Sequence, residues 1–476
     1  MEPPAPPHRI EVEVLDPRLS AALREVAGRV RGAGGRALLV GGCVRDAVLG
    51  RAAEDLDFEV YGLAPDRLAA LLEERFPLDL VGRDFGVLKL RGLPVDVSLP
   101  RRESKRGLGH RGFEIESDPF LPPREAAARR DFTINALAAD PLTGELLDFF
   151  GGLADLAERV LRHVSDRFSE DPLRVLRGMQ LAARFELEVA PETVALCRRI
   201  GPEGLARERV FGEWRKLLVR GVQPSRGLAF LRDCGWLRHF PELDALSGCE
   251  QDPEWHPEGD VFVHTLHCLD AFAAERLGDE AEDLVVGLAV LCHDLGKPAT
   301  TRREGGRVTS KRHEPVGEAL TRRFLARLTA EAALVEAVVP LVGAHLRPGA
   351  LYEARAGDAA VRRLARRVGR IDRLVRVARA DWRGRPPLAA ERFPAGEWLL
   401  ARARALELEA AAPRPLVLGR HLIELGLAPG PDFGPVLAAC FEAQLDGAFA
   451  SLEQGIEFAR SWIAAHPPGS QGAAGG

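Results

Sequence analysis

The chain is 476 residues long, room for two to four domains with cores of their own. Charged residues make up 28% and apolar residues 46%, the ordinary balance of a soluble globular protein. A formal net charge of −5 excludes a uniformly basic nucleic-acid binder, so any RNA contact has to come from a local Arg-rich surface. Only five lysines occur (Lys89, Lys105, Lys216, Lys297 and Lys311), and arginine supplies the remaining positive charge. Seven dispersed cysteines with no CxxC predict reduced thiols and a cytoplasmic location. No run approaches transmembrane length, and the Pro-rich start has no apolar segment, which predicts neither signal peptide nor anchor. Met1–Pro7 and His466–Gly476 read as disordered ends.

In chain order, short apolar runs predict strands at Leu38–Val40, Phe58–Tyr61, Val87–Leu90, Val95–Leu99 and Leu146–Phe149. A short helix is expected over Val44–Leu49, ended by Gly50. From Leu153 onward the pattern turns helical: Leu153–Leu161, Pro172–Phe185, Pro191–Arg199 and Val210–Leu218. Gly248–Asp260, with two prolines and two glycines, reads as a linker. A second all-helical region follows to about Arg385, and Arg385-Pro386-Pro387 precedes a helical tail to Ala465.

The chemistry begins at GGCVRDAVLGRAAEDLDFEVY, from Gly41 to Tyr61. Gly41-Gly42 ends an apolar strand and lets a phosphate approach the backbone with no Cβ in the way. Asp55 and Asp57 are spaced i, i+2, which points both to one side of an extended chain. Two adjacent carboxylates repel unless a cation lies between them, and oxygen ligands suit Mg²⁺. Gly-Gly, Arg45-Asp46 and Asp-x-Asp together point to metal-dependent nucleotidyl transfer. Asp96, at the end of a later strand, is a candidate third carboxylate. The segment Pro100–Phe113, rich in Gly, Arg, Lys and His, reads as a basic loop.

In RRDFTINAL, Asp131 and Asn135 are spaced i, i+4 and can both bond sugar hydroxyls; equally, Asp131 can be a helix N-cap. In EDPLRVLR, Asp171 and Arg174 present an acceptor and a forked donor at i, i+3, or else a capped helix start with an ion pair. The chemical case for base reading is specific. Cytosine and adenine each offer an amino donor beside a ring-nitrogen acceptor, and guanine and uracil offer the reverse. A carboxylate beside a guanidinium complements the first pair and mismatches the second.

GGCVRD…EDLDFEVYG, RRDFTINAL, DFFGG, EDPLRVLRGMQLAARF and Glu208-Arg209-Val210…Glu213…Lys216 resemble, in order, the motifs of class II tRNA nucleotidyltransferases, over about residues 36–220. That family includes the CCA-adding enzymes and bacterial poly(A) polymerases. The resemblance implies an α+β chain. A polymerase-β-like head with a five-stranded sheet (1–152) precedes a helical neck (153–250), an HD-type body (256–385) and a helical tail (386–476). It further implies Mg²⁺ on Asp55 and Asp57, triphosphate on Gly41, Gly42 and Arg45, and ribose on Arg130, Asp131 and Asn135. The base would lie on Asp171 and Arg174, supported by Arg177, with Asp148–Gly152 as the head–neck hinge. Gln180-Leu181 stand where members often carry Arg-Phe.

The second region holds His264, then His293-Asp294 in LCHDLGK, His313, His345 and Asp381. Imidazoles and carboxylates suit Mn²⁺, Ni²⁺, Fe²⁺ or Mg²⁺ and lower the pKa of bound water. This order resembles the HD phosphohydrolase superfamily over about residues 256–385, and HPEGD…VHT ahead of it resembles CCA-adding enzymes that carry such a domain. The expectation is a tRNA nucleotidyltransferase adding C, C and A from CTP and ATP, with HD phosphatase or 2′,3′-cyclic phosphodiesterase activity. The rivals are A-only addition, CC-only addition, poly(A) synthesis, and an HD phosphohydrolase with an RNA-binding head.

Overall fold

The computed structural model describes residues 9–79, 87–105, 113–386, 388 and 391–466. The chain forms two compact units, residues 1–239 and 240–476. The first opens with helix α1 (Pro17–Gly32), whose cap Asp16 accepts from Arg18 N and whose Leu19, Ala22, Val26 and Val30 form a buried stripe. Then come β1 (Arg36–Val40), α2 (Gly42–Val48), β2 (Leu56–Tyr61), α3 (Pro65–Glu73), β3 (Leu78–Asp79), β4 (Val87–Leu90) and β5 (Val95–Ser98). β6 (Arg101–Lys105), β7 (Phe113–Ser117), α4 (Pro123–Ala127), β8 (Ala138–Ala139) and β9 (Leu146–Leu147) complete the α+β part.

The sheet has seven strands rather than five, in the order β3-β4-β5-β2-β1-β8-β9. The two additional strands are the two-residue β3 and β8, too short to show a period-2 pattern in sequence. β2 and β5 run parallel, and the other neighbouring strands of this sheet pair antiparallel. That parallel register sets Asp57 beside Asp96. β6 and β7 pair in register from Arg101–Ser117 to Lys105–Phe113, so the expected basic loop begins and ends in a strand pair, and its residues 106–112 lie outside the described residues.

Asp131 and Asn135 do not share an α-helix. Asp131 is followed by extended Phe132 and a 3₁₀ turn, Thr133–Asn135. Helix α5 (Gly152–Ala157) is shorter than expected, because β10 (Val160–Leu161) takes the end of that stretch and pairs with β11 (Glu188–Val189) after α6 (Leu173–Phe185). Asp148 accepts from the backbone N–H groups of Phe150, Gly152 and Leu153, so the DFFGG motif is a capped helix entry. Helices α7 (Pro191–Cys197), α8 (Arg207–Arg220) and α9 (Pro224–Asp233) finish the unit around buried Trp214, Leu217, Leu228 and Leu231.

The second unit holds α10 (Pro241–Asp244), α11 (Val261–Ala274), α12 (Glu280–Cys292), α13 (Lys297–Thr300), a small hairpin β12 (Arg302–Glu304) and β13 (Arg307–Thr309), and α14 (His313–Leu328). Then follow α15 (Ala332–Val342), α16 (Arg347–Glu353), α17 (Asp358–Val368), α18 (Ile371–Arg383), α19 (Pro394–Ala405), α20 (Gly419–Glu424), α21 (Phe433–Asp446) and α22 (Leu452–Ala465). Every residue of α12 from Asp283 to Cys292 is buried, which makes it the central helix. Gly248–Asp260 is not a linker but folds into this unit: Asp260 caps α11 through Val263 N and also accepts from Gly248 N. The stretch Ala332–Glu353 has the length and apolarity to cross a membrane, but more than half of its apolar window is buried and it breaks into α15 and α16 around His345. The tail helices α20–α22 share a small core of Val417, Leu422, Val436, Cys440, Phe449 and Ala459.

Candidate functional site

In the first unit, β1 ends at Gly41, whose φ of +77° makes the turn into α2. A Cβ there would lie 3.0 Å from an Arg130 nitrogen and 3.8 Å from Asp57 Oδ2, so glycine leaves the approach to the carboxylates open. This turn is one wall of a cavity of about 740 Å³. Gly41, Gly42, Arg45, Asp55, Asp57, Arg130, Asp131, Asn135, Asp171, Arg174 and Arg177, the residues singled out from sequence in this half, all line it. Asp96 does not: it is paired with Lys89 Nζ at 2.7 Å.

Burial, and then the charge of Asp55, push the Asp57 carboxyl up to about 6. A divalent cation between the two acids would relieve that penalty, which is the fit expected of a Mg²⁺ pair. Asp131 shows the opposite outcome. Burial would raise it, but the Arg177 guanidinium (Nε to Oδ2, 2.7 Å), Asn135 Nδ2 (3.0 Å) and the Phe132 N–H (2.8 Å) bring it down to about 2. Arg45 is almost fully buried. It donates to Asn135 Oδ1 at 2.7 Å and to Asp46, and lies 4.2 Å over the Phe185 ring. Two of the ribose-binding candidates, Asp131 and Asn135, thus join the triphosphate candidate Arg45 and the base-supporting candidate Arg177 in one connected network, Arg45–Asn135–Asp131–Arg177.

Asp171 accepts from Leu173 N (3.0 Å) with one oxygen and from Arg209 of α8 (2.9 Å) with the other. Arg174 donates to the carbonyls of Arg167 (2.7 Å) and Arg129 (2.8 Å). Each side chain has its own brace, and both face the cavity. Sequence reasoning left Arg209, Gln180 and Arg184 out of the site. Gln180 and Arg184 continue the helical face of Arg174 and Arg177 at three- and four-residue steps, a signal available in the sequence. Arg209 stands in the Glu208-Arg209-Val210 motif, but no local spacing ties it to Asp171, which it meets from 38 residues away.

The second unit brings His264, His293, Asp294, His313, His345 and Asp381 to one buried point. His264 Nε2 lies 3.1 Å from Asp381 Oδ1, and His293 Nε2 lies 3.2 Å from Asp294 Oδ2. On the other side of Asp294, its Oδ1 is 3.4 Å from His313 Nε2, which is itself 3.4 Å from His345 Nε2. The Nδ1 atoms of His293, His313 and His345 each contact the carbonyl three residues back, at 2.7, 2.8 and 2.7 Å. Those contacts fix the three rings with Nε2 turned inward, the orientation that metal ligation requires. His293 Nε2 and both Asp294 oxygens are buried with no hydrogen-bond geometry to any described group, although Lys297 Nζ lies 2.7 Å from Asp294 Oδ2. Orphaned donors of this kind, facing one another, fit a bound cation. Despite burial, Asp294 holds His293 protonated up to about 10, whereas burial and the His293 charge push His345 down to about 4.

Two further residues, Glu258 and Cys268, belong here that sequence reasoning did not assign. Glu258 Oε1 accepts from Nδ1 of both His256 and His264 at 2.8 Å, orienting the latter ring. Cys268, one helical turn after His264, places its thiol in the same donor group. Asp294, His313, His345 and Asp381 open onto a cavity of about 270 Å³ also lined by Trp255, Lys297 and Arg385.

Residues 37–162 match the poly A polymerase head domain, and residues 261–381 match the HD domain. The multifunctional CCA protein of Xanthomonas campestris pv. campestris is 39% identical over 416 residues, covering 84% of this chain and 96% of that one. The chain belongs to the multifunctional CCA protein family. The family member from Halorhodospira halophila is likewise 39% identical, over 83% of this chain and 92% of that one. Among solved structures, the Bacillus stearothermophilus CCA-adding enzyme in complex with CTP has a TM-score of 0.63 at 25% identity, covering 95% of this chain and all of that one. The Thermotoga maritima CCA-adding enzyme complexed with tRNA has the same fold, with a TM-score of 0.57 at 20% identity. Both family domains imply use of divalent metal ions, and the donor groups described above are candidate positions for them.

Proposed function

We propose that this chain completes the 3′ end of tRNA, adding C, C and A from CTP and ATP without a template. The observation that carries the reading is the single cavity that holds paired carboxylates, an Arg-rich wall and the Asp171/Arg174 pair together. Asp55 and Asp57 hold two Mg²⁺, which when bound supply a lowered pKa for the tRNA 3′-hydroxyl and offset the charge on departing pyrophosphate. The protein's own work is positioning. The Gly41-Gly42 turn admits the triphosphate beside Arg45, which also holds Asn135. Asp131 and Asn135, with Arg130 beside them, take the ribose hydroxyls. Asp171 accepts from the amino group of cytosine or adenine, and Arg174 donates to the adjacent ring nitrogen; guanine and uracil meet a donor with a donor and an acceptor with an acceptor. Arg177 supports this by fixing Asp131.

The second unit works as an HD phosphohydrolase on phosphomonoesters or 2′,3′-cyclic phosphates, with Ni²⁺, Mn²⁺, Fe²⁺ or Mg²⁺ held by His264, His293, Asp294, His313, His345 and Asp381. Lys297 and Arg385 at its cavity suit an anionic substrate. The working division is a head at 1–152, a neck at 153–250, an HD body at 256–385 and a tail at 386–476, in the cytoplasm.

The test uses tRNA transcripts ending before CCA, after C and after CC, each incubated with Mg²⁺ and labelled CTP, ATP or both. Growth of all three to one CCA end is the expected result. Extension of the CC-ended RNA alone, arrest at CC, or a long ladder with ATP would each replace the proposal with the narrower activity it names. No extension at all would leave the HD centre as the catalytic site.

A further inference from the structure

Cys268 lies on α11 four residues after His264, so its side chain projects from the same helical face. It is fully buried, at the closed end of the donor cluster rather than on the wall of the neighbouring cavity. Its Sγ is 3.3 Å from His264 Nε2, the nitrogen that also faces Asp381 Oδ1 at 3.1 Å. Ligand atoms of His264, Cys268, His293 and Asp381 all lie within 4.8 Å of one another. A sulfur at about 2.3 Å and a nitrogen at about 2.0 Å on one tetrahedral ion would be about 3.5 Å apart, close to the spacing seen here. The surrounding fold makes room for this thiol. A Cβ on Gly384, just past α18, would meet Cys268 Sγ at 2.2 Å, so only glycine lets the two helices close around it. The neighbouring His293 Nε2 and Asp294 Oδ1, buried without hydrogen-bond partners while Lys297 lies beside Asp294 Oδ2, are an independent sign of a cation at this point.

We propose that Cys268 is a metal ligand of the second unit, placing a sulfur donor in a centre otherwise built of imidazole and carboxylate. The inference rests on the reading of this unit as a divalent-metal site. Binding converts Cys268–SH and M²⁺ into Cys268–S–M⁺ and a released proton, with no change of oxidation state. A thiolate donor selects Zn²⁺, Co²⁺, Ni²⁺ or Fe²⁺ over Mg²⁺. Among the described residues, Cys268 is the one cysteine that falls in a candidate donor group; Cys249, for comparison, contacts Thr301.

The experiment loads the full-length, chelator-stripped protein with substoichiometric Co²⁺ and reads X-ray absorption fine structure and the near-ultraviolet spectrum. The expected result is one sulfur neighbour at about 2.3 Å and a thiolate-to-cobalt charge-transfer band. Both should be absent from Cys268→Ser and retained in Cys249→Ser. Cys268→Ser should also hold Co²⁺ at least about tenfold more weakly, with little change in Mg²⁺ affinity. Bound cobalt with an all-nitrogen and oxygen shell in the wild-type chain, a reading that needs no variant to fold, overturns the sulfur ligand while leaving the metal centre intact. Sulfur scattering that persists in Cys268→Ser also overturns it. Absence of bound metal overturns both this inference and the HD-centre reading beneath it.

Discussion

Arg177 Nε donates to Asp131 Oδ2 at 2.7 Å, joining α6 to the residue two before the 3₁₀ turn across 46 positions of sequence. The pair fixes a carboxylate that would otherwise be costly to bury, and it does so inside the nucleotide cavity.

This contact has a pH signature. Asp131 sits at about 2 in the folded chain, below its ordinary value of 3.8. A depressed carboxylate contributes stability above its unfolded pKa and loses it as pH falls through the folded one. The wild-type chain should therefore lose stability between about pH 4 and pH 2 that Asp131→Asn does not lose, on the order of 1 kcal/mol once solvent screening of Arg177 is allowed for. Urea unfolding of the two proteins across that range measures it. Parallel profiles would remove the pair's energetic role.

Asp57 behaves in the opposite sense. A carboxyl raised to about 6 makes the folded state bind more protons than the unfolded one between about pH 4 and 6, so stability falls as pH rises through that window. Asp57→Asn should melt higher than wild type at pH 7 in EDTA, and Mg²⁺ should stabilise wild type but not the variant. The same variant, like Asp55→Asn, should lose CCA addition by at least about a thousandfold, the scale of removing one preorganised electrostatic element. Thermal melts with and without Mg²⁺, and single-nucleotide incorporation, give the readouts.

Base choice should depend on the braces as well as on the readers. Arg174→Ala should bring UTP and GTP incorporation to within about tenfold of CTP and ATP, since one lost discriminating hydrogen-bond pair is worth roughly 1–3 kcal/mol. Arg174→Lys should do nearly the same, because one ammonium cannot span the Arg167 and Arg129 carbonyls with the planar fork of a guanidinium. Arg209→Ala, which leaves Asp171 without its second donor, should relax selection more weakly. Competition assays with the four nucleotides on a CC-ended tRNA decide this, and unchanged preference in all three variants would count against the base-reading pair.

Glu258 does not reach the centre of the HD donor cluster but holds His264 Nδ1 at 2.8 Å. Glu258→Gln should lower transition-metal affinity by about 10–100-fold with the helical content unchanged. Metal content after dialysis against a graded chelator buffer reports it, and retention equal to wild type would assign Glu258 to His256 alone.

Much of this molecule is legible in local spacing. The Gly-Gly turn, the Asp-x-Asp start of β2, the EDPLRVLR entry to α6 and the His-Asp step after α12 are each set by neighbours within a few residues, where backbone geometry repeats. Helix α6 falls within one residue of its expected span for the same reason, whereas α5 stops four residues short where β10 begins its pairing with β11. What the tertiary structure decided is which distant partners meet. Nothing near Arg209 in the chain indicates Asp171, and nothing near Glu258 indicates that one oxygen will serve two imidazoles. Cys268 reads as one more apolar-face residue of α11 until Gly384 closes against it. The strands β3 and β8 are strands only because longer neighbours pair with them. Local chemistry follows from covalent spacing; ligation, charge pairing and register depend on how the chain closes on itself, which no short window of sequence contains.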